Sequence, residues 1–143
     1  DAVAQEHARG GTAFDKLLAA MRRYVEIVTS DFGMCVIRVG EDPLPADSRR
    51  ELRRFKAALD GEFRALIRAG IEEGSIAPCD PKIAAFTLAG ALSWIGRWYQ
   101  AEGPLTPAEI ARQCIALLAG GLCTPASRRR LRRATAPTHE ETA

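Results

Sequence analysis

Two stretches, CDPKIAAF (residues 79–86) and LTPAEIA (residues 105–111), carry the same device: a short polar side chain followed at once by proline. Such a side chain accepts hydrogen bonds from the N–H groups that open a helix, and proline is harmless in the first helical position, where its missing N–H has no partner to lose. Helices therefore start at Asp80-Pro81 and Thr106-Pro107, and Glu109 is placed to reach back and complete a capping box. No comparable signal marks a sheet. MCVIRV, residues 34–39, has strand-like composition, but a lone strand has nothing to pair with, so it reads as a helix end or a loop. The fold class is all-α, an antiparallel helical bundle.

The same punctuation divides the rest of the chain. Residues 1–9 read as the end of a helix that Gly10-Gly11 closes, so residues 1–11 form the remnant of a connecting helix and loop. Thr12 can cap the next helix, whose Phe14, Leu17, Leu18, Met21, Val25, Val28 and Phe32 recur on one stripe about 100° wide. The prolines of GEDPLPADS, residues 40–48, make a loop, after which Ser48 and Glu51 form a capping box for a long helix. Leu52, Phe55, Leu59, Phe63, Leu66, Ile67 and Gly70 mark its inner side, Arg49, Arg50, Arg53 and Arg54 its outer side, and Gly74 its left-handed stop. Residues 12–123 make one domain. Residues 124–143 read as a disordered basic tail, because RRRLRR lies among Ala, Thr and Pro.

Charge and composition exclude several functions. The tail's five arginines outweigh Glu140 and Glu141 by three, more than the whole chain's formal charge of +2, so the preceding residues are slightly acidic. Such a body lacks the footprint of a domain that grips nucleic acid unaided. The tail itself offers contacts to phosphates or an acidic partner. The longest apolar run, Ile83 to Ile95, is too short to span a membrane, and no signal peptide opens the chain. Cys35, Cys79, Cys114 and Cys123 form no C-x-x-C pair, which fits reduced thiols in the cytoplasm and no metal site. The only histidines, His7 and His139, lie in the terminal segments, and no nucleophile or carboxylate pair stands out, so no enzyme and no cofactor is expected. DFG, residues 31–33, is a chance match to the kinase metal motif, without the accompanying loops. The glycines of GIEEGS punctuate a helix end and do not cradle phosphate.

Helical geometry carries more information. Ile110, Ala111, Cys114, Ile115, Leu117, Leu118, Gly121 and Leu122 spread over about 160° of the last long helix, more than one core needs. The helix over 81–100 is apolar almost all round, with Ala84, Ala85, Gly90, Ala91 and Gly96 allowing close approach. Two helices of excess apolar width call for a second copy of the chain, or else fill one monomeric core. The Gly103-Pro104 stop turns helix 107–122 back beside helix 81–100. A two-fold dimer is then expected, with Ile110, Cys114, Leu117, Leu118 and Gly121 near the contact and Leu88 and Leu92 contributing.

Trp94 and Trp98 share a side of the central helix with Ile83, Thr87 and Ala91. A hydroxyl among aromatics suits a small-molecule pocket, though aromatics at helical spacing also fill cores. The expected cavity is bordered by Tyr24, Phe55, Phe63, Thr87, Trp94 and Trp98, with Arg97 beside it to neutralise an acidic ligand or merely reach solvent.

The order of these motifs over residues 66–122, about two fifths of the chain, resembles the C-terminal regulatory half of the TetR family of bacterial transcription repressors. Gly-x-x-x-Gly ends one helix, Asp-Pro opens the next, and Trp-x-x-x-Trp-Tyr precedes Gly-Pro-Leu-Thr-Pro-Ala-Glu-Ile and a final Gly-Leu; residues 12–63 fit as the preceding helices. The resemblance implies binding of a small apolar or amphipathic effector and a homodimer through the last two long helices. It also implies an N-terminal helix-turn-helix headpiece that reads operator DNA, which nothing before residue 12 can supply. A helical homodimerisation or adaptor module without a ligand is the alternative.

Overall fold

The computed structural model describes residues 11–137, and among them the chain forms six helices and no strand. They are α1 (Ala13–Thr29), α2 (Asp31–Val39), α3 (Ala46–Glu73), α4 (Pro81–Trp98), α5 (Pro107–Gly120) and α6 (Pro125–Ala134). A single isolated bridge pairs Ile76 with Cys123. The expected connecting helix over residues 1–9 lies outside the described residues, as do His7 and His139.

Local chemistry sets most helix starts. Thr12 accepts from the Asp15 N–H while the Asp15 carboxylate accepts from the Thr12 N–H, and Thr106 and Glu109 repeat the arrangement at α5. Asp80 accepts from the N–H groups of Lys82 and Ile83, with Pro81 in the first helical position. Gly74 ends α3 in the left-handed conformation, φ +80°, where a side chain would be strained.

Three sequence expectations about individual helices are corrected. The stripe from Phe14 to Phe32 is not one helix: Ser30 separates α1 from α2, accepting from the Gly33 N–H at 3.1 Å. The junction is tight enough that a Cβ on Gly33 would lie 2.0 Å from the Ile27 carbonyl oxygen, so the chain bends there and Phe32 is left 61% exposed. MCVIRV accordingly continues α2. Next, Ser48 and Glu51 do not cap α3, which opens at Pro45 without a side-chain cap. The fixed φ of proline, −55° here, already presets the first turn, and Asp47 within it complements the helix dipole.

The third correction is the tail. Residues 125–134 are helical, because Thr124-Pro125 repeats the capping device, with Thr124 accepting from the Ser127 N–H. Ser127 and Leu131 are buried against the bundle, and arginine is a good helix former, so a composition that suggests disorder is compatible with an anchored helix.

The central helix is α1, not α4. It packs against all five other helices, and Phe14, Leu17, Leu18, Met21 and Val25 are fully buried. Around it close Phe63 and Ile67 of α3, Leu88, Leu92 and Ile95 of α4, and Ile110 and Ile115 of α5. Each such side chain contributes about 1.5–3 kcal/mol by leaving water. The last two long helices both pack on α1 and not extensively on one another, which corrects the expectation of a paired α4–α5 face. The apolar circumference of α1 supplies the partner surface for each.

Candidate functional site

The bend at Ser30–Gly33 opens a cleft. Because α2 leaves the line of α1, an apolar trough of about 530 Å³ remains between α1, α2 and the first half of α3. Tyr24 and Ile27 come from α1, Val36 and Ile37 from α2, Leu52 and Phe55 from α3. A smaller space of about 330 Å³ shares Tyr24, Lys56 and Leu59 with it and adds Phe63, Phe86, Asp60 and Ser93. Sizes in this range suit small molecules, which apolar walls hold and a few polar groups orient.

Few polar groups reach this space. Burial pushes the Tyr24 phenol above its usual pKa, and the bond with Ser93 offsets only part of that, so the hydroxyl stays neutral at ordinary pH. Its ring meets Phe63 at 6.0 Å between centroids, tilted by 48°. Asp60 holds Arg64 at 2.8 Å, while its Oδ1 is buried without a hydrogen-bond partner. At the rim Lys56 pairs with Glu41, and that contact holds the Glu41 carboxyl below the usual carboxylate range. Nothing here resembles catalytic machinery, and no group of three or more potential metal ligands occurs among the described residues.

The expected cavity residues divide. Tyr24, Phe55 and Phe63 meet along the trough and its extension. Thr87, Trp94 and Trp98 do not join them, because they lie on the outer side of α4. Trp94 is two residues from Leu92, about 160° around a helix, so burying Leu92 turns Trp94 outward. Trp94 is 63% and Trp98 45% exposed. Trp94 and Arg97 border a depression that adjoins the trough through Val36, Ile37 and Lys56 and also includes Glu41, and the Arg97 guanidinium lies 5.7 Å from the Trp94 ring. The sequence reading missed Ile27, Val36 and Ile37 as cleft residues; for Val36 and Ile37 the apolar run MCVIRV was the available signal.

The expected contact residues divide as well. Leu88, Leu92 and Ile110 are buried inside the protomer, against the central α1. Cys114 and Leu118 are half-buried, whereas Gly121 is exposed and Leu117 is 81% exposed.

The cleft is tied to α4 through α2. Arg38 donates from Nε to the Gly96 carbonyl at 2.9 Å and from Nη2 to the Tyr99 carbonyl at 2.6 Å, satisfying the end of α4. A Cβ on Gly96 would lie 2.5 Å from Ile37 Cδ1, so the two helices touch without slack.

A wider depression of about 700 Å³ lies between α1 and α6. Arg22, Arg129, Arg130, Arg133 and Asp15 line it, which makes it charged and unsuited to an apolar molecule.

The family described as tetracyclin repressor-like, C-terminal domain matches residues 10–122. No curated protein and no solved structure matches the chain.

Proposed function

Because the chain belongs to the tetracyclin repressor-like C-terminal domain family, a family of regulatory and non-enzymatic domains, we propose that it is the effector-binding and dimerisation domain of a transcriptional repressor. Domains of this family typically bind a ligand and dimerise. The observation that carries the reading is the apolar trough of about 530 Å³ beside the half-buried Tyr24. Its effector is a small apolar or amphipathic molecule.

The mechanism is a shift between two arrangements of the bundle. An effector that fills the trough bears on α2, and Ile37 against Gly96 together with Arg38 on the last carbonyls of α4 passes the displacement to α4. The effector biases the equilibrium only by its difference in affinity for the two arrangements. In a full-length repressor the operator-reading headpiece joins ahead of α1, whose first N–H, on Ala13, donates to Glu73 at the end of α3. Rotation of the two protomers then changes the headpiece spacing and releases the operator. The exposed Ile83, Trp94 and Trp98 of α4 and Leu117 of α5 support the dimer, since a lone bundle gains nothing by leaving them in water.

Thermal shift and native mass spectrometry against a panel of fatty acids, aromatic acids and amphipathic amines test the effector reading. A binder is expected to raise the melting temperature of the wild type and to lose that effect in Val36→Arg. It should change tryptophan emission little, since both tryptophans lie outside the trough. A panel that leaves the melting temperature unchanged sinks the effector reading and leaves a dimerisation module without ligand.

A further inference from the structure

Helix α6 carries five arginines between Arg128 and Arg133, all exposed, in a chain of formal net charge +2. Arg130 pairs with Asp15 at 2.6 Å, and among the described residues Arg128, Arg129, Arg132 and Arg133 have no carboxylate partner. Cohesion of the bundle does not explain them. Like charges four apart on a helix repel, which applies to Arg128 with Arg132 and to Arg129 with Arg133. The helix dipole rewards only the last-turn pair, Arg132 and Arg133. The helix is nonetheless fixed in place: Thr124 Oγ1 donates to the Gly74 carbonyl at 3.1 Å, Arg22 donates to the Ala134 carbonyl at 2.9 Å, and Leu131 is buried. The guanidinium groups are thus held out on a rigid support, above the charged depression lined by Arg22, Arg129 and Arg133.

We propose that the outer face of α6 binds the phosphate backbone of duplex DNA without reading its sequence. Three features favour this occupant. Guanidinium groups form paired hydrogen bonds with phosphate oxygens, and side chains four apart on a helix are spaced by about 5–6 Å, a scale at which a duplex with one charge per about 1.7 Å of axis always presents phosphates. The outer face holds no aromatic or large aliphatic anchor of the kind that dominates protein–protein contacts, since Leu131 faces inward. For the same reason α6 has no apolar side to lay into a membrane. Anchoring of this type is electrostatic, fast and salt-dependent, and adds to whatever a sequence-reading segment supplies.

Fluorescence anisotropy of a labelled random-sequence duplex, titrated with the full chain over a salt series, tests the proposal. Four phosphate contacts give a slope of log K against log salt of about −3 to −4. The Arg128→Ala/Arg129→Ala/Arg132→Ala/Arg133→Ala variant is expected to bind at least about 100-fold more weakly near 50 mM salt, with the slope close to zero. The corresponding four Arg→Lys changes should keep the slope, which separates lost charge from an unfolded α6. Arg53→Ala/Arg54→Ala on α3 should leave binding unchanged. The proposal is overturned by a wild type that does not bind near 50 mM salt, by an alanine variant that keeps the slope, or by polyglutamate competing as well as duplex at equal charge.

Discussion

Helices α3 and α4 pack on the same neighbour, α1, and on each other, yet their outer sides have opposite chemistry. Away from the core α3 shows Arg49, Arg50, Arg53 and Arg54, of which Arg50 pairs with Asp47 and Arg53 approaches Glu41 at 3.8 Å. Away from the core α4 shows Ile83, Phe86, Trp94 and Trp98. An arginine keeps its charge hydrated while its stem lies along the surface, so the α3 exterior is at rest in water. The two exposed tryptophans leave roughly 160–270 Å² of side chain unburied in the free protomer, and the exposed Ile83 and Phe86 add to it, toward the size that marks an interaction surface. Exposed chemistry, not packing on α1, therefore separates the outer sides of the two helices.

The harshest way to break this contrast is to charge the apolar exterior. Leu117→Arg on α5 is expected to raise the dissociation constant of the dimer by at least about 100-fold, because a charge stranded in a desolvated contact costs about 3–5 kcal/mol. The protomer should stay folded, since Leu117 touches little of its own core. Sedimentation equilibrium reads the first effect and circular dichroism the second. A wild type that is monomeric at micromolar concentration removes the premise altogether.

A pair of substitutions two residues apart sharpens it. Leu92→Ala should destabilise the protomer by about 2–5 kcal/mol in urea unfolding, the range for emptying a packed leucine site. Trp94→Ala should change that stability by under about 0.5 kcal/mol when measured on the monomer, and weaken association instead. On α3, Arg53→Ala should alter neither. If Trp94→Ala unfolds the protomer as Leu92→Ala does, the outer side of α4 belongs to the core.

These assignments also show where the sequence was legible. The Thr12, Asp80 and Thr106 starts and the Gly74 stop were readable because their hydrogen bonds lie within a few residues of one another. The all-α class followed from them, as did the inner faces of α1 and α3. The orientation of α4 was not readable: an apolar circumference fits several rotations, and only the fit of Leu88 and Leu92 to α1 selects one. Of the cleft, Tyr24, Phe55 and Phe63 were accessible from their stripes. Ile27, Val36 and Ile37 were not, because their roles depend on a bend set by Ser30 and by the close approach of Gly33 to the Ile27 carbonyl. Helix α6 was hidden by composition, although Thr124-Pro125 carried the same signal as Thr106-Pro107.

The smallest effects concern how the helices open. Helix α5 starts in a complete capping box, whereas α3 starts at Pro45 with none, so the two should respond differently to alanine. Thr106→Ala is expected to cost about 1 kcal/mol. Ser48→Ala should stay within about 0.5 kcal/mol, since the Ser48 hydroxyl caps nothing. The box also carries a pH signature. The Thr106 backbone N–H donates to Glu109 at 2.6 Å and lowers the pKa of that carboxyl below its unfolded value. A depressed carboxylate pKa means that the unfolded chain takes up the proton first on acidification. The contribution of Glu109 is then complete above the unfolded pKa and is lost as pH falls through the folded one. Glu109→Gln should flatten the stability profile of the protein across that acidic window and leave the slope above it alone. An unchanged acid limb would mean that solvent screens the Glu109 charge from the helix end, and the Thr106 hydroxyl would then account for the whole cap.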